Sequence, residues 1–262
     1  MTPPRGSILD FIQVRDHNEV RIFNLSRPKA NALNGQMVEE LSAAVRDAGA
    51  DDAVQAVVVA SLQPGFFSAG FDVNEVFSYD PPAMRAFFLR FVDVYESLLR
   101  LPKPIIGALT GHTVAGGAFL ALAFDMRVMA AGDYAFAVNE INFGAIVPSS
   151  VRRLLVDTIG PRHATRMILT GDAVKPKRAL EIGLVDEVVA ETDVFAAALR
   201  LGHELAAKPR GAFGFSKLAL HEDRGHLLEA HGRGSLDEFL DQWFSPECAQ
   251  LRRSLTESFK RR

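Results

Sequence analysis

Residues Val54 to Ala60 form an almost wholly apolar run rich in valine, and this run limits the fold more than any other stretch. Valine is stiff at χ1 and suits a pleated surface, so the run reads as a strand. A strand that is apolar on both sides needs cover on both faces, as the inner strands of a parallel sheet have. Ile105 to Leu109 repeats the signal in shorter form. Ile8 to Val14 and Val20 to Leu25 flank the polar turn Asp16-His17-Asn18 and read as an antiparallel hairpin. With 262 residues, 48% of them hydrophobic, the chain can bury such a sheet within one large α/β domain or a main domain and a smaller terminal one.

Helical signals fall between the strands. Asn34 is placed to cap a helix from Gly35 through Val45, whose apolar stripe Met37, Leu41, Ala44 and Val45 has helical spacing. Pro81-Pro82 introduces a second helix reaching Leu101, and His112 to Ala123 passes from a Gly-rich turn into an apolar helix. Val128 to Ala130 and Tyr134 to Val138 supply two more short strands. This rhythm of strand, loop and helix fits successive turns of stacked ββα units rather than an open dinucleotide-binding sheet. Beyond residue 150 the pattern turns helical, with candidates at Val151 to Ile159, Arg162 to Leu169, Pro176 to Glu181, Thr192 to Ala207, Ala212 to His221, Ser235 to Phe244 and Pro246 to Lys260. The expected organisation is an α/β core over residues 1–200 and a helical C-terminal region over 201–262.

Composition narrows the partners. A net charge of -3 offers no global field for nucleic acid, and the basic end Lys260-Arg261-Arg262 suits a solvated helix terminus. Cys248 is the single cysteine, and His221-Glu222 with His226 is spaced five apart rather than four, so no metal site is expected. No apolar run follows Met1 to Gly6 and none approaches the roughly 20 residues a bilayer requires, which makes the cytoplasm the expected compartment, with no membrane partner. Neither a P-loop nor a dinucleotide fingerprint is present.

Two Gly-rich segments can carry chemistry. Ser68-Ala69-Gly70-Phe71-Asp72 and Ala115-Gly116-Gly117-Ala118 are either plain tight turns or places where backbone N–H groups approach a developing oxyanion. Phe66-Phe67 and Phe71 make the first loop unusually bulky for a solvated turn. Asp72 reads more readily as a carboxylate holding its own turn than as a catalytic group, and His112 as a loop anchor or a substrate contact. Phe87, Phe88 and Phe91 have helical spacing, which favours a core face over a pocket wall.

The runs Arg27-Pro28-Lys29-Ala30-Asn31-Ala32-Leu33, Phe67-Ser68-Ala69-Gly70-Phe71-Asp72-Val73, Gly111-His112-Thr113-Val114-Ala115-Gly116-Gly117-Ala118, Asn139-Glu140-Ile141 and Gly183-Leu184-Val185-Asp186 occur in one order along the chain. In that order and approximate spacing they resemble the crotonase family, the enoyl-CoA hydratase/isomerase superfamily, from about Leu9 to the C-terminus. The resemblance implies a stacked ββα superhelix, assembly as a homotrimer or dimer of trimers, and an acyl-CoA thioester as substrate in fatty acid metabolism. It also implies an oxyanion hole of two backbone N–H groups, matched here by Phe71 and Gly116. Coenzyme A belongs to the substrate, so no separate cofactor is implied. Its adenine end would meet the loop Phe66 to Phe71, including Ser68 and Ala69, with Arg27 or Lys29 at the phosphates.

The acid and base positions separate the reactions. Of the two glutamates that the family's hydratases use, Glu140 matches the second, while Phe119 stands at the first. Phe119 neither accepts a proton nor orients a water. Hydration needs a water at C3, whereas moving a double bond from C3 to C2 needs only proton removal and return, which one carboxylate can perform. The resemblance therefore implies an enoyl-CoA delta isomerase with Glu140 as acid and base, its pKa raised by partial desolvation beside Ile141 and Phe143. Hydratase activity, another thioester reaction such as hydrolysis or decarboxylation, and a noncatalytic coenzyme A binding subunit stay open as alternatives.

Overall fold

The computed structural model describes residues 9–232 and 236–260. Ile8, Ser235, Arg261 and Arg262, on which sequence expectations fall, lie outside the described residues, as do Met1 to Gly6 and the side chain of His226.

The valine run becomes β3 (Ala56–Ser61), the third of six strands in the larger sheet. The hairpin expected before it is formed by β1 (Ile12–His17) and β2 (Val20–Leu25), paired antiparallel from Ile12 against Leu25 to His17 against Val20. Its first strand starts and ends later than the apolar pattern suggests, because main-chain pairing continues through Arg15 and Asp16 while their side chains face water. Asn18, with φ of 54°, makes the tight reversal. From β2 onward every neighbouring pair is parallel, in the order β1-β2-β3-β5-β7-β9, with β5 (Ile105–Leu109), β7 (Met126–Ala130) and β9 (Glu187–Val189). Sequence periodicity misses β9, since three half-buried residues carry no alternation to read.

A second sheet holds β4 (Phe66–Ser68), β6 (His112–Val114) and β8 (Phe136–Ala137), all parallel. Each turn of the chain thus lays one strand in the large sheet and one in the small sheet before a helical segment. Strands β3 and β4 lead to α2 (Pro81–Arg100), β5 and β6 to α3 (Gly116–Leu122), and β7 and β8 to a 3-10 turn at Glu140–Phe143. The α/β class and the stacked ββα spiral are borne out. Helix α1 (Gly35–Ala50) precedes this spiral and is capped as expected, the Asn34 side chain accepting from Met37 N at 3.0 Å.

Helices make up most of the rest. In α4 (Ser149–Thr170) the two expected helices are arms joined at Gly160, whose φ of 76° and the following Pro161 break the hydrogen-bond ladder. Then come α5 (Pro176–Glu181), α6 (Val194–Ala206), α7 (Arg210–Gly232), α8 (Leu236–Trp243) and α9 (Pro246–Lys260). Residue 200, where the sequence division falls, lies inside α6, and that helix packs on β3, β5 and β7. Lys217 ties α7 to the core by donating to Asp125 Oδ2 at 2.7 Å and to the carbonyl of Lys103 at 3.0 Å. Among the described residues no helix is long and apolar enough to cross a membrane.

Candidate active site

The three loops singled out in the sequence leave the same end of the small sheet. Phe71 follows β4, Gly116 follows β6 and Glu140 follows β8, and β6 pairs with both of the other strands. Loops at the carboxyl ends of parallel strands are where open α/β sheets place ligands. Here they border a cavity of about 310 Å³ whose wall includes Phe71, Ala115, Phe119 and Glu140.

The first two loops touch. A methyl group at Gly70, where φ is +90°, would stand 3.1 Å from Gly116 N and 2.8 Å from Ala115 Cβ. One at Gly116 would meet the Phe71 ring at 2.8 Å, so glycine is what lets these backbones approach. Phe71 forms a single parallel bridge with Leu33: Leu33 N donates to Gly70 O at 2.7 Å and Asp72 N donates to Leu33 O at 2.9 Å. By the alternation of extended chain, the Phe71 N–H faces away from Leu33. Among the described residues neither this N–H nor that of Gly116 has a backbone acceptor. Ala115 between β6 and α3 holds φ 49° and ψ -124°, a conformation costing an L-residue about 1–3 kcal/mol. Ala115 itself lines the cavity, and Gly116 follows it directly in the chain.

Glu140 is buried, and its Oε2 has no hydrogen-bond partner. Burial pushes its carboxyl up to about 8 from an ordinary 4.5. The sequence expectation named Ile141 and Phe143 as its apolar surroundings. Phe143 does line the cavity, but Ile141 is 42% exposed, because the 3-10 turn points successive side chains to different sides. The dry wall is supplied in part by Phe119, 1% exposed, and Glu140 is the only ionisable side chain among the described residues lining the cavity. The amide oxygen of Asn139, also on that wall, is likewise buried without a partner.

The remaining candidates divide. Phe66 and Ala69 line the cavity. Ser68 does not: it is fully buried, and its hydroxyl donates to Asn31 O at 2.8 Å. Arg27 is held by Asp72 and donates to Ala32 O at 2.9 Å, while Lys29 is exposed with φ of 75°. Asp72 also accepts from Asn74 N at 2.8 Å, the turn-holding part expected of it. His112 packs beside the rings of Phe66 and Tyr134. Phe87 and Phe91 are buried core that braces Phe71 edge-on at 5.1 and 4.9 Å, whereas Phe88 reaches the cavity.

Local patterning did not mark Asn31 as a support or α8 as a wall. Asn31 donates to Ser61 Oγ at 2.7 Å and Phe67 O at 3.0 Å, fixing the loop that carries Phe71. Phe239 and Trp243 show an i, i+4 apolar stripe, but nothing local says which element it faces. Among the described residues no group of three or more His, Cys, Asp or Glu could hold a metal ion.

Known proteins share this arrangement. The family described as enoyl-CoA hydratase/isomerase matches residues 15–242. Enoyl-CoA delta isomerase 1, mitochondrial, of Mus musculus is 32% identical over 176 residues, which cover 67% of this chain and 61% of that protein. Carboxymethylproline synthase of Pectobacterium carotovorum subsp. carotovorum is 32% identical over 214 residues, 81% of this chain and 85% of that one. The crystal structure of human mitochondrial delta3-delta2-enoyl-CoA isomerase superposes with a TM-score of 0.92 at 25% identity, covering 96% of this chain and 99% of that chain. With the match spanning most of the sequence and the spiral delivering its three loops to one cavity, the chain belongs to the enoyl-CoA hydratase/isomerase family, the crotonases.

Proposed function

We propose that the protein is an enzyme acting on coenzyme A thioesters, and that it converts a 3-enoyl-CoA into a trans-2-enoyl-CoA. The observation that carries this reading is the single buried carboxylate, Glu140, in a cavity where Phe119 offers no second acid or base. Ionised Glu140 removes a proton from C2 of the acyl chain. The electron pair spreads over C2 to C4 and the thioester oxygen, giving a dienolate. The N–H groups of Phe71 and Gly116 donate to that oxygen. Protonated Glu140 then delivers its proton to C4, the double bond settles between C2 and C3, and the carboxylate is restored. No atom is gained or lost. Hydration in the family's two-glutamate manner would require a second acid or base at C3, and no ionisable side chain besides Glu140 lines this cavity among the described residues.

In this reading the adenosine end of the thioester lies along Phe66 to Phe71. Ser68 acts there through its backbone only, since its hydroxyl is committed to Asn31. Lys29 is exposed for the phosphates, and Arg27 would share its charge between them and Asp72. Assembly as a homotrimer or dimer of trimers would cover the apolar side chains that α7 leaves exposed, Phe215 at 77% and Leu220 at 72%.

The test is Glu140→Gln assayed with 3-enoyl-CoA and 2-enoyl-CoA substrates. Isomerase turnover should fall about 10²–10⁴-fold, with acyl-CoA binding largely kept, because the amide fills the same space but takes no proton. Full isomerase activity in the Gln variant would overturn the mechanism. Rapid water addition to 2-enoyl-CoA by the native chain would favour hydration instead.

A further inference from the structure

The 3-10 turn that starts at Glu140 ends on carbonyls its own backbone does not satisfy. Asn142 N donates to Asn139 O at 3.1 Å, Gly144 N to Ile141 O at 3.2 Å and Ala145 N to Glu140 O at 3.1 Å. Among the described residues this leaves Phe143 O and Gly144 O without a backbone donor, the usual condition of a helical end. Two side chains from the C-terminal helices fill both places. Gln242 on α8 donates through Nε2 to Gly144 O at 3.0 Å, and Cys248 on α9 donates through Sγ to Phe143 O at 3.3 Å. The direction of the second bond follows from its neighbour: Arg252 Nη1 lies 3.2 Å from the same sulfur and can only donate, so the thiol proton is left for Phe143 O. Burial pushes the Cys248 thiol up, which keeps that proton in place. Arg252 is held in turn, lying 4.3 Å over the Trp243 ring and donating to the Trp243 carbonyl. Helix α9 also packs closely on the turn, since a methyl group at Gly144, where φ is +78°, would stand 3.2 Å from Cys248 Cα.

We infer that Gln242 and Cys248 are positioning residues for Glu140: together they clamp the carbonyl end of its turn and so fix where the carboxylate at the other end stands in the cavity. This inference rests on the proposed role of Glu140 as acid and base. Phe143 and Glu140 are one 3-10 turn apart, so a shift at one end is passed to the other. A third contact, Asn142 Nδ2 to Gly171 O, is longer at 3.4 Å and therefore weaker. With no other ionisable side chain lining the cavity among the described residues, the proton affinity of Glu140 reports how dry its setting is. Slackening the turn would admit water to the carboxyl, lower that affinity and move the group off the line of proton transfer.

The test follows Glu140 with turnover and without it. Cys248→Ala and Gln242→Met each remove a donor with a small change in volume, whereas Cys248→Ser keeps one. Gln242 is only half-buried, so Gln242→Met carries the test should Cys248→Ala fail to fold by circular dichroism. In the kcat/KM profile for a 3-enoyl-CoA, the break near 8 should move to lower pH by about half a pH unit or more in the Ala and Met variants. On the alkaline plateau kcat should fall about 10–10²-fold with KM nearly unchanged, and Cys248→Ser should stay close to native in both respects. NMR titration of labelled glutamate carboxyls, with the Glu140 signal identified by its loss in Glu140→Gln, follows the same proton with no substrate present. Folded Ala and Met variants whose Glu140 titrates as in the native chain would overturn the inference. A Ser variant as impaired as the Ala variant would do so too, because lost packing would then account for the effect. If the NMR titration moves while the native chain consumes no 3-enoyl thioester, the clamp stands and the isomerase reading falls.

Discussion

Glu140 titrates from an unusual starting point. With its carboxyl pushed up to about 8, most of the ligand-free protein at pH 7 carries it protonated, and only the ionised fraction can abstract a proton. The value of kcat/KM for a 3-enoyl-CoA should therefore climb about tenfold per pH unit below that point and level off above it. A flat profile from pH 6 to pH 9 would contradict Glu140 as the base. The same burial has a stability consequence of fixed sign. The folded carboxyl holds its proton more tightly than the unfolded one, so the contribution is fully present below 4.5 and is lost as pH rises through about 8. That shift corresponds to about 5 kcal/mol at about 1.4 kcal/mol per unit. Glu140→Gln should accordingly be more stable than the native chain at pH 9 in denaturant titrations, with the difference vanishing near pH 4. At this scale the sequence was legible where the chemistry is a residue type: a carboxylate at 140 and a phenylalanine at 119 can be read directly. The degree of burial could not be, because it depends on what packs over Glu140, and Ile141, its neighbour in sequence, is not among those walls.

Among elements, the loops are positioned by strand pairing and by caps rather than by their own composition. Gly116→Val should therefore reduce kcat far more than it weakens acyl-CoA binding, since the intruding side chain meets the Phe71 ring and displaces the N–H that the proposed mechanism uses to hold developing charge. Equal loss in both would indicate collapse of the pocket instead. Asn34 works further from the cavity, accepting from Met37 N and donating to Glu75 Oε2 at 2.9 Å, which joins the start of α1 to the segment after Phe71. Asn34→Ala should cost about 1–2 kcal/mol of stability in thermal or chemical unfolding, as loss of a cap usually does. The strong elements, β3, α1, α2 and α9, were readable from apolar period and cap residues. The three-residue strand β9 and the end of β1 were not, because main-chain pairing formed there without a side-chain pattern to announce it.

Taken whole, the molecule depends on long-range ties that no local pattern shows. Lys217 and Asp125 lie 92 residues apart, and the Lys217 side chain is 4% exposed. Removing one partner leaves the other charge buried, so Lys217→Met should lower stability by about 3–5 kcal/mol. Adding Asp125→Asn should recover part of that loss in a double-mutant cycle. Additive losses would mean that the two side chains are not energetically joined. The family's spiral was readable from the order of its motifs, whereas the closing of the cavity by α8 and α9 depends on residues more than 90 positions from Glu140. That distance along the chain separates two jobs. Under the proposed mechanism the proton is handled in the ββα turns, while part of the cavity wall is contributed by the last two helices, so grafting residues 236–260 from a relative would reshape that wall without editing Glu140, Phe71 or Gly116.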